Sequence, residues 1–171
     1  EHLTEELDYE LELAVVIKKD GKWFSPEEAH EYIGGYVIFN DITARDIQRR
    51  EMRSGVFSFC KAIDTFCPLG PWIVTPDEIA NVRELEMELR VNGEVRQESH
   101  SSRMSVTIPE ILSNFSGLTY SAGDVLSTGT VSGSGPIPDL AWNKLWLGVT
   151  ATIDERWIAT LRGRWVDDRD T

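Results

Sequence analysis

The 171-residue sequence has few of the residues that build disulfide frameworks or soft metal centres. It contains two cysteines, Cys60 and Cys67, and three scattered histidines, His2, His30 and His100. Neither a Cys/His spacing typical of zinc sites nor a disulfide framework can be drawn from so few residues. Free thiols in a reducing cytoplasm are the simplest interpretation, so we expect a cytoplasmic protein.

Basic residues and long apolar runs are also scarce. Lys and Arg total 17 against 29 Asp and Glu, which gives a formal net charge of −12. A surface this acidic repels phosphate backbones and anionic lipids. The longest strongly apolar run covers residues 13–17, whereas a membrane-spanning helix needs about 20 apolar residues. The sequence therefore predicts neither a nucleic-acid partner nor a membrane partner.

The spacing of apolar residues predicts many short strands and few helices. Residues 7–17 alternate apolar with mostly acidic side chains, which predicts one strand with an apolar face and an acidic face. Capped starts predict a helix over 25–33 and another from 107 to about 117. A further short helix is predicted over 41–50. The remaining predicted strands cover residues 36–39, 71–75, 85–91, 94–98, 124–128, 147–153 and 157–161.

The fold class follows from this order of elements and from the length. At about 150 residues per domain, 171 residues predict roughly one domain, so we expect residues 1–171 to form a single catalytic domain. An Asn-Gly turn at 92–93 joins two of the strands as a hairpin. Strands in excess of helices predict a strand-rich α+β fold built as a sandwich or roll.

An acidic pair is the first candidate site. Glu10 and Glu12 are two apart on a predicted strand, so both carboxylates point to the same face. Two like charges about 7 Å apart repel, and solvent, a cation or basic neighbours must compensate them. A solvated strand face is the simpler interpretation of the pair taken alone.

Asp41 adds a third carboxylate at a strand-to-helix junction, where functional residues are common. It fits equally well as the cap of the helix that follows. If the three carboxylates meet without a nearby histidine or cysteine, they suit a hard cation such as Mg²⁺ or Mn²⁺.

Four further residues extend the candidate site. Arg45 and Gln48 share one helix face with Asp41 at i+4 and i+7, so Arg45 is either part of the site or a structural ion pair with Asp41. Lys61 is a lone cation in an apolar run, and it either reaches solvent or is held against an anion. Thr130 follows Gly129, where the chain either turns or approaches a ligand closely.

Five segments, taken in order, resemble the fumarylacetoacetate hydrolase family. They are Leu7–Ile17, Phe39–Gln48, Lys61–Trp72, Val91–Gln97 and Gly123–Thr130. The resemblance covers most of the chain and continues more loosely to residue 161. It implies a mixed β-roll with small flanking helices and a homodimer.

The resemblance also implies roles for the candidate residues. Family members bind Mg²⁺ or Mn²⁺ through positions that match Glu10, Glu12 and Asp41, and their substrates are 2-oxo acids. The positions that match Lys61 and Gln48 hold substrate oxygens. Thr130 matches a residue at the substrate carboxylate, and Arg45 matches a pocket arginine that supports the metal ligands.

The chemistry implied is an enzyme that forms a metal-stabilised enolate and cleaves a C–C bond in acylpyruvates or oxo-dicarboxylates. Two alternatives stay open: an isomerase or decarboxylase of aromatic-acid catabolism, acting on 2-hydroxyhepta-2,4-diene-1,7-dioate-type acids, and a catalytically silent oligomeric binding module. Hydrolytic members carry a water-activating histidine upstream of the Glu-x-Glu strand or on a lid helix, and only nine residues precede Glu10. We therefore expect this chain to enolise or decarboxylate 2-oxo acids more readily than it hydrolyses acylpyruvates.

Overall fold

The structure is a computed structural model that describes residues 3–91, 93–133, 146–153 and 157–164. Within these ranges the helices are α1 (Arg45–Glu51) and α2 (Ile108–Phe115). The strands are β1 (Leu7–Asp8), β2 (Leu11–Ile17), β3 (Ile33–Asn40), β4 (Thr43–Ala44), β5 (Glu86–Val91), β6 (Glu94–His100), β7 (Val125–Ser127), β8 (Trp146–Ile153) and β9 (Trp157–Arg164). The predicted strand-rich α+β class is confirmed. His2 lies outside the described residues, and so does Asn92, the first residue of the predicted hairpin turn.

The strands form three antiparallel groups. The order β3-β2-β7 makes the sheet that carries the Glu-x-Glu strand, and β1 pairs with β4 beside it. The order β6-β5-β8-β9 makes a four-stranded sheet. The predicted hairpin is its β5–β6 pair, and the two predicted carboxyl-terminal strands are its β8 and β9.

Strand β2 is buried on both faces, so the predicted solvent-facing acidic surface is wrong. Leu11 and Val15 lie in the main core, whereas Ala14 packs in a second cluster with Val37 and Phe39. The predicted continuous strand also breaks at residues 9–10. The break arises because β1 pairs with β4 while β2 pairs with β3 and β7.

The helix predicted over 25–33 is replaced by a turn, a 3-10 helix (Ala29–Glu31) and the start of β3. The capping contact exists, because Glu28 accepts a hydrogen bond from the Ser25 backbone N–H at 2.9 Å. Gly35, predicted to end the helix, instead lies in β3, where a Cβ would sit 2.4 Å from Ile73 and 2.8 Å from the Val74 carbonyl oxygen. The close approach of the 73–74 segment therefore requires a glycine at this position of β3.

Two other predicted elements shift. The helix predicted from residue 41 begins at Arg45, because residues 43–44 form β4 instead. The strand predicted over 71–75 is reduced to an isolated bridge between Val74 and Tyr36. The second capped helix is confirmed as α2, with a capping box between Thr107 and Glu110. None of the described helices has the length and apolarity to cross a membrane.

Candidate metal centre

The ends of β2 and β3 bring the three predicted carboxylates together. Glu10 lies just before β2, Glu12 lies within it, and Asp41 directly follows β3. The Asp41 backbone N–H donates to the Glu10 carbonyl oxygen at 2.8 Å, which locks the two strand ends to each other. One oxygen from each carboxylate lies within 4.8 Å of the others.

The two glutamates of this cluster are withdrawn from water. Glu10 is 8% exposed and Glu12 is 3% exposed. Glu12 accepts hydrogen bonds from the Ser127 hydroxyl and, at 3.0 Å, from the Gly129 backbone N–H. Burial raises the pKa of the Glu12 carboxyl, and these two hydrogen bonds only partly oppose it. A positive charge next to these oxygens would stabilise the ionised form.

Lys61 supplies one such charge. Its Nζ donates to Glu10 Oε2 at 2.8 Å, to an oxygen of Asp41, and to Thr43 Oγ1 at 2.8 Å. Burial lowers the pKa of Lys61, but the hydrogen bonds to Asp41 and Glu10 outweigh it and raise the pKa. Of the two sequence interpretations, the lysine held against anions is therefore the one the structure bears out. Burial also raises the pKa of Asp41, against the opposing effect of Lys61.

Arg45 makes a different ion pair from the one expected. Its Nε donates to Asp8 Oδ2 at 2.6 Å and its Nη2 to Glu10 Oε1, rather than to Asp41. The shared helix face is also wrong, because Asp41 precedes the helix. Within α1, Arg45 Nη1 donates to Gln48 Oε1 at 2.9 Å. Sequence reasoning missed Asp8, although it precedes Glu10 and Glu12 in the same period-two pattern.

The donor set fits a hard divalent cation. Four carboxylates meet two basic side chains, which leaves two negative charges uncompensated in formal terms. The carboxylates are those of Asp8, Glu10, Glu12 and Asp41, and the cations are Arg45 and Lys61. The Lys61 ammonium binds both Glu10 and Asp41, so oxygens of these two carboxylates already surround one positive charge. Oxygen donors with this excess charge suit Mg²⁺ or Mn²⁺.

Thr130 is hydrogen-bonded to the first residue of β2. Its hydroxyl donates to the Leu11 carbonyl oxygen at 3.0 Å and accepts from Gln97 Nε2 at 3.1 Å. Gln97 is 1% exposed, and its Oε1 accepts from the Leu11 backbone N–H at 2.8 Å. Its amide also donates to the Val131 carbonyl oxygen. Gln97 therefore joins β6, β2 and the Thr130 turn, a role that sequence reasoning did not assign.

A cavity of about 610 Å³ opens on the far side of this turn. Ser127, Gly129 and Thr130 line it together with apolar side chains that include Met104 and Phe115. The three carboxylates do not line it, but Ser127 and Gly129, which both donate to Glu12, do. The two described histidines use their Nδ1 elsewhere, on the Glu27 carbonyl oxygen and the Ser102 hydroxyl.

Comparison with known proteins gives concordant matches. The family model described as "Fumarylacetoacetate (FAA) hydrolase C-terminal" matches residues 2–171. The chain is 48% identical over 136 residues to an oxaloacetate tautomerase of Bacillus subtilis, covering 79% of this chain and 44% of the relative. It is 40% identical over 137 residues to a maleylpyruvate hydrolase of Aquipseudomonas alcaligenes, covering 80% and 45%. The chain therefore matches under half the length of each of these relatives.

A solved structure agrees in fold. The chain superposes on 5-carboxymethyl-2-hydroxymuconate delta-isomerase of Mycobacterium smegmatis with a TM-score of 0.83 and 38% identity. The superposition covers 96% of this chain and 60% of that protein. The relatives thus include a tautomerase, a hydrolase and an isomerase on one fold.

Proposed function

The chain belongs to the fumarylacetoacetate hydrolase family, and from this premise we propose that it binds one divalent cation and promotes keto–enol exchange of small 2-oxo acids. The observation that carries the proposal is the cluster of Glu10, Glu12 and Asp41 with the Lys61 ammonium set against it. We propose residues 1–171 as one catalytic domain. A homodimer and a cytoplasmic location stay predictions.

In this proposal Glu10, Glu12 and Asp41 are the ligands of Mg²⁺ or Mn²⁺. When bound, the cation supplies Lewis acidity that polarises a 2-oxo group. Arg45 orients Glu10, because it donates to both Glu10 and Asp8. Fixing the ligands in advance is what allows a carboxylate cluster to hold its cation tightly.

Lys61 is the proposed catalytic cation. Enolisation places negative charge on the 2-oxo oxygen, and a positioned ammonium stabilises that charge without rearrangement. Its Nζ carries three protons, so it can keep a contact with Asp41 or Glu10 while it donates to the substrate.

Gln48 and Thr130 are proposed to contact substrate oxygens. Arg45 fixes the Gln48 carbonyl oxygen, which leaves the Gln48 amide N–H groups to donate to the substrate. Thr130 is proposed at the substrate carboxylate. Because its hydroxyl donates to Leu11 in this structure, that contact requires the hydroxyl to turn away from β2.

Keto–enol exchange is favoured over other reactions by the similarity to an oxaloacetate tautomerase. Enolisation needs the cation, a charge partner and a proton acceptor, whereas hydrolysis also needs a base that activates water. Among the described residues, His30 and His100 use Nδ1 to bind the Glu27 carbonyl oxygen and the Ser102 hydroxyl, and neither has a hydrogen bond to Glu10, Glu12 or Asp41. Hydrolytic C–C cleavage of acylpyruvates is the second candidate, supported by the maleylpyruvate hydrolase relative.

The test is product analysis with the 171-residue chain. Oxaloacetate in its enol form, an acylpyruvate and a hydroxymuconate-type diene are each supplied with Mg²⁺ or Mn²⁺ and with a chelator. We expect cation-dependent loss of the oxaloacetate enol, followed by its ultraviolet absorbance, to exceed acylpyruvate cleavage. Dominant acylpyruvate cleavage would move the assignment to the hydrolase, and cation binding without turnover of any substrate would support the silent module.

A further inference from the structure

Lys61 lies in a short turn between α1 and the following segment. Its backbone N–H donates to the Ser58 carbonyl oxygen at 3.1 Å, and the Ala62 N–H donates to the same oxygen at 3.2 Å. Residues 52–59 are exposed, so packing does not fix the chain that leads to this turn. Other contacts must hold the lysine backbone in place.

The side chain of Glu51, the last residue of α1, makes those contacts. Its Oε1 accepts from the Phe59 N–H at 2.9 Å. Its Oε2 accepts from the Cys60 N–H at 3.0 Å and the Ser58 N–H at 3.3 Å. Three consecutive backbone donors thus converge on one carboxylate, and hydrogen bonds to an ionised acceptor are stronger than neutral ones. The Cys60 N–H, with the others, holds the pKa of Glu51 below its ordinary value.

Cys60, the residue before the lysine, has both its backbone N–H and its backbone carbonyl oxygen hydrogen-bonded. Glu51 binds the Cys60 N–H, and the Cys60 carbonyl oxygen accepts from the Ala44 N–H of β4 at 2.9 Å. Cys60 itself is fully buried in the core. The path from α1 to Lys61 is therefore defined by the carboxylate on one side and by β4 on the other.

Helix α1 consequently organises both cations around Glu10. Its first residue, Arg45, donates to Glu10 Oε1, and its last residue, Glu51, secures the turn from which Lys61 donates to Glu10 Oε2. The helix is seven residues long and rigid on this scale.

We propose that Glu51 is the positioning residue for Lys61: its carboxylate fixes residues 58–60 so that the Lys61 ammonium is held at Glu10, Asp41 and Thr43. This inference rests on the proposed function for its effect on turnover, but the placement of Lys61 can be measured without it. Glu51 contacts neither the carboxylate cluster nor a substrate, and it acts only through the turn.

The first experiment measures the exposure of Lys61 directly. The folded, metal-free protein is treated with an amine-acylating reagent, and the rate at Lys61 is followed by mass spectrometry. Glu51→Gln removes the charge and replaces one of the two accepting oxygens by an NH2 donor, and we expect Lys61 to react ~10-fold faster because charge-assisted bonds have been lost. The matched control is Glu6→Gln, which removes the ion pair between Glu6 and Arg49 of the same helix and should not change the rate.

The second experiment is a double-mutant cycle on turnover. Glu51→Gln should lower kcat ~10-fold with KM and cation affinity little changed, because a misplaced catalytic group costs rate rather than binding. In the Lys61→Met background, Glu51→Gln should add no further loss. Should Glu51→Gln fail to fold, Glu51→Asp keeps the charge, shortens the reach by one methylene, and should give the same pattern with smaller changes.

The outcomes separate this proposal from the proposed function. An unchanged acylation rate at Lys61 in a folded Glu51 variant overturns the positioning role. So does an additive loss of kcat in the cycle, which is the result a merely structural role would give. If the wild-type chain turns over no 2-oxo acid while Lys61 becomes reactive in Glu51→Gln, the proposed function fails and the positioning role stands.

Discussion

The Glu-x-Glu pair at the start of β2 can be compared with another on β5, and the two pairs share little beyond their spacing. Glu10 and Glu12 flank the start of β2 and are buried. Glu86 and Glu88 lie on β5, where Glu86 is exposed and Glu88 is half-buried. Arg90, two residues along the same strand, binds Glu88 at 2.6 and 2.7 Å.

The difference lies in what other parts of the chain bring to each pair. On β5, Arg90 of the same strand pairs with Glu88, and the strand opposite adds another acid, Glu98, across from Glu88. The β2 pair is met by Asp41 and Lys61 and, through Ser127, by β7. Both pairs therefore have a third carboxylate nearby, and the β2 pair is distinguished by its burial and by the convergence of one oxygen from each of Glu10, Glu12 and Asp41 within 4.8 Å.

The largest effect should come from removing Arg45, the half-buried cation that binds the buried Asp8 and Glu10. Arg45→Ala leaves Glu10 and the 1%-exposed Asp8 without their guanidinium, which typically costs about 3–5 kcal/mol of unfolding free energy. We expect the lower end, because Asp8 keeps a hydrogen bond from the Tyr9 N–H. Urea denaturation measures it, with Arg90→Ala as the exposed counterpart that should change little. Equal losses in both variants would contradict the comparison.

The next effect is on turnover. Lys61→Met keeps the side-chain stem and removes the charge, so it should lower kcat ~10²-fold or more if the charge stabilises an enolate. Arg90→Met makes the same kind of change beside the β5 pair and should leave turnover intact. Steady-state kinetics on a 2-oxo acid measure both, and normal turnover by folded Lys61→Met would remove the lysine from the proposed mechanism.

A smaller effect is expected on cation affinity. Glu12→Gln should weaken Mg²⁺ or Mn²⁺ binding ~10-fold or more, because it replaces a proposed ligand by a neutral amide. Glu88→Gln, the corresponding change on β5, should not alter the affinity. Calorimetric titration of the metal-free protein measures the affinity of each variant for Mg²⁺ or Mn²⁺. Equal affinities for Glu12→Gln and wild type would refute the assignment of Glu12 as a ligand.

The smallest expected effect is on the pH dependence of stability, and it concerns Glu51, the proposed positioning residue for Lys61. Hydrogen bonds from the backbone hold the pKa of Glu51 below its ordinary value of 4.5. A carboxyl whose pKa is lower in the folded state adds stability above its unfolded pKa, and that stability is lost as pH falls through the folded pKa. Thermal melts from pH 6 down to about pH 3 should therefore show a shallower decline for Glu51→Gln than for wild type. Parallel declines would mean that Glu51 is not stabilised in its ionised form.

Local pattern was enough for some of this structure. The pairing of β5 with β6 and the capped helix α2 follow from short-range signals, and both form as predicted. The cap signal at residue 25 is just as clear, yet it yields a turn and a three-residue 3-10 helix instead of an α-helix. There the close packing of Gly35 against residues 73–74, which are distant in sequence, favours a strand.

In the candidate site, too, some features could be predicted from local sequence pattern and others depend on contacts between distant parts of the chain. The three carboxylates could be grouped from their order and spacing, and the fold brings their oxygens together. Their role as ligands, and the roles of Lys61 and Gln48, stay predictions. The partner of Arg45 could not be chosen from sequence, because the choice depends on β1 pairing with β4, which places Asp8 beside the start of α1.

The seven-residue length of α1 also fixes the distance and the rotation between Arg45 at its start and Glu51 at its end. Each residue added to a helix lengthens it by about 1.5 Å and turns it by about 100°. An insertion between Arg45 and Glu51 would therefore break the register between the guanidinium at one end and the turn carrying Lys61 at the other. Exposed residues 53–57, just beyond the helix, carry no such constraint. Length variation in this part of the chain should be tolerated after residue 52 and rejected before it, whatever side chains are inserted.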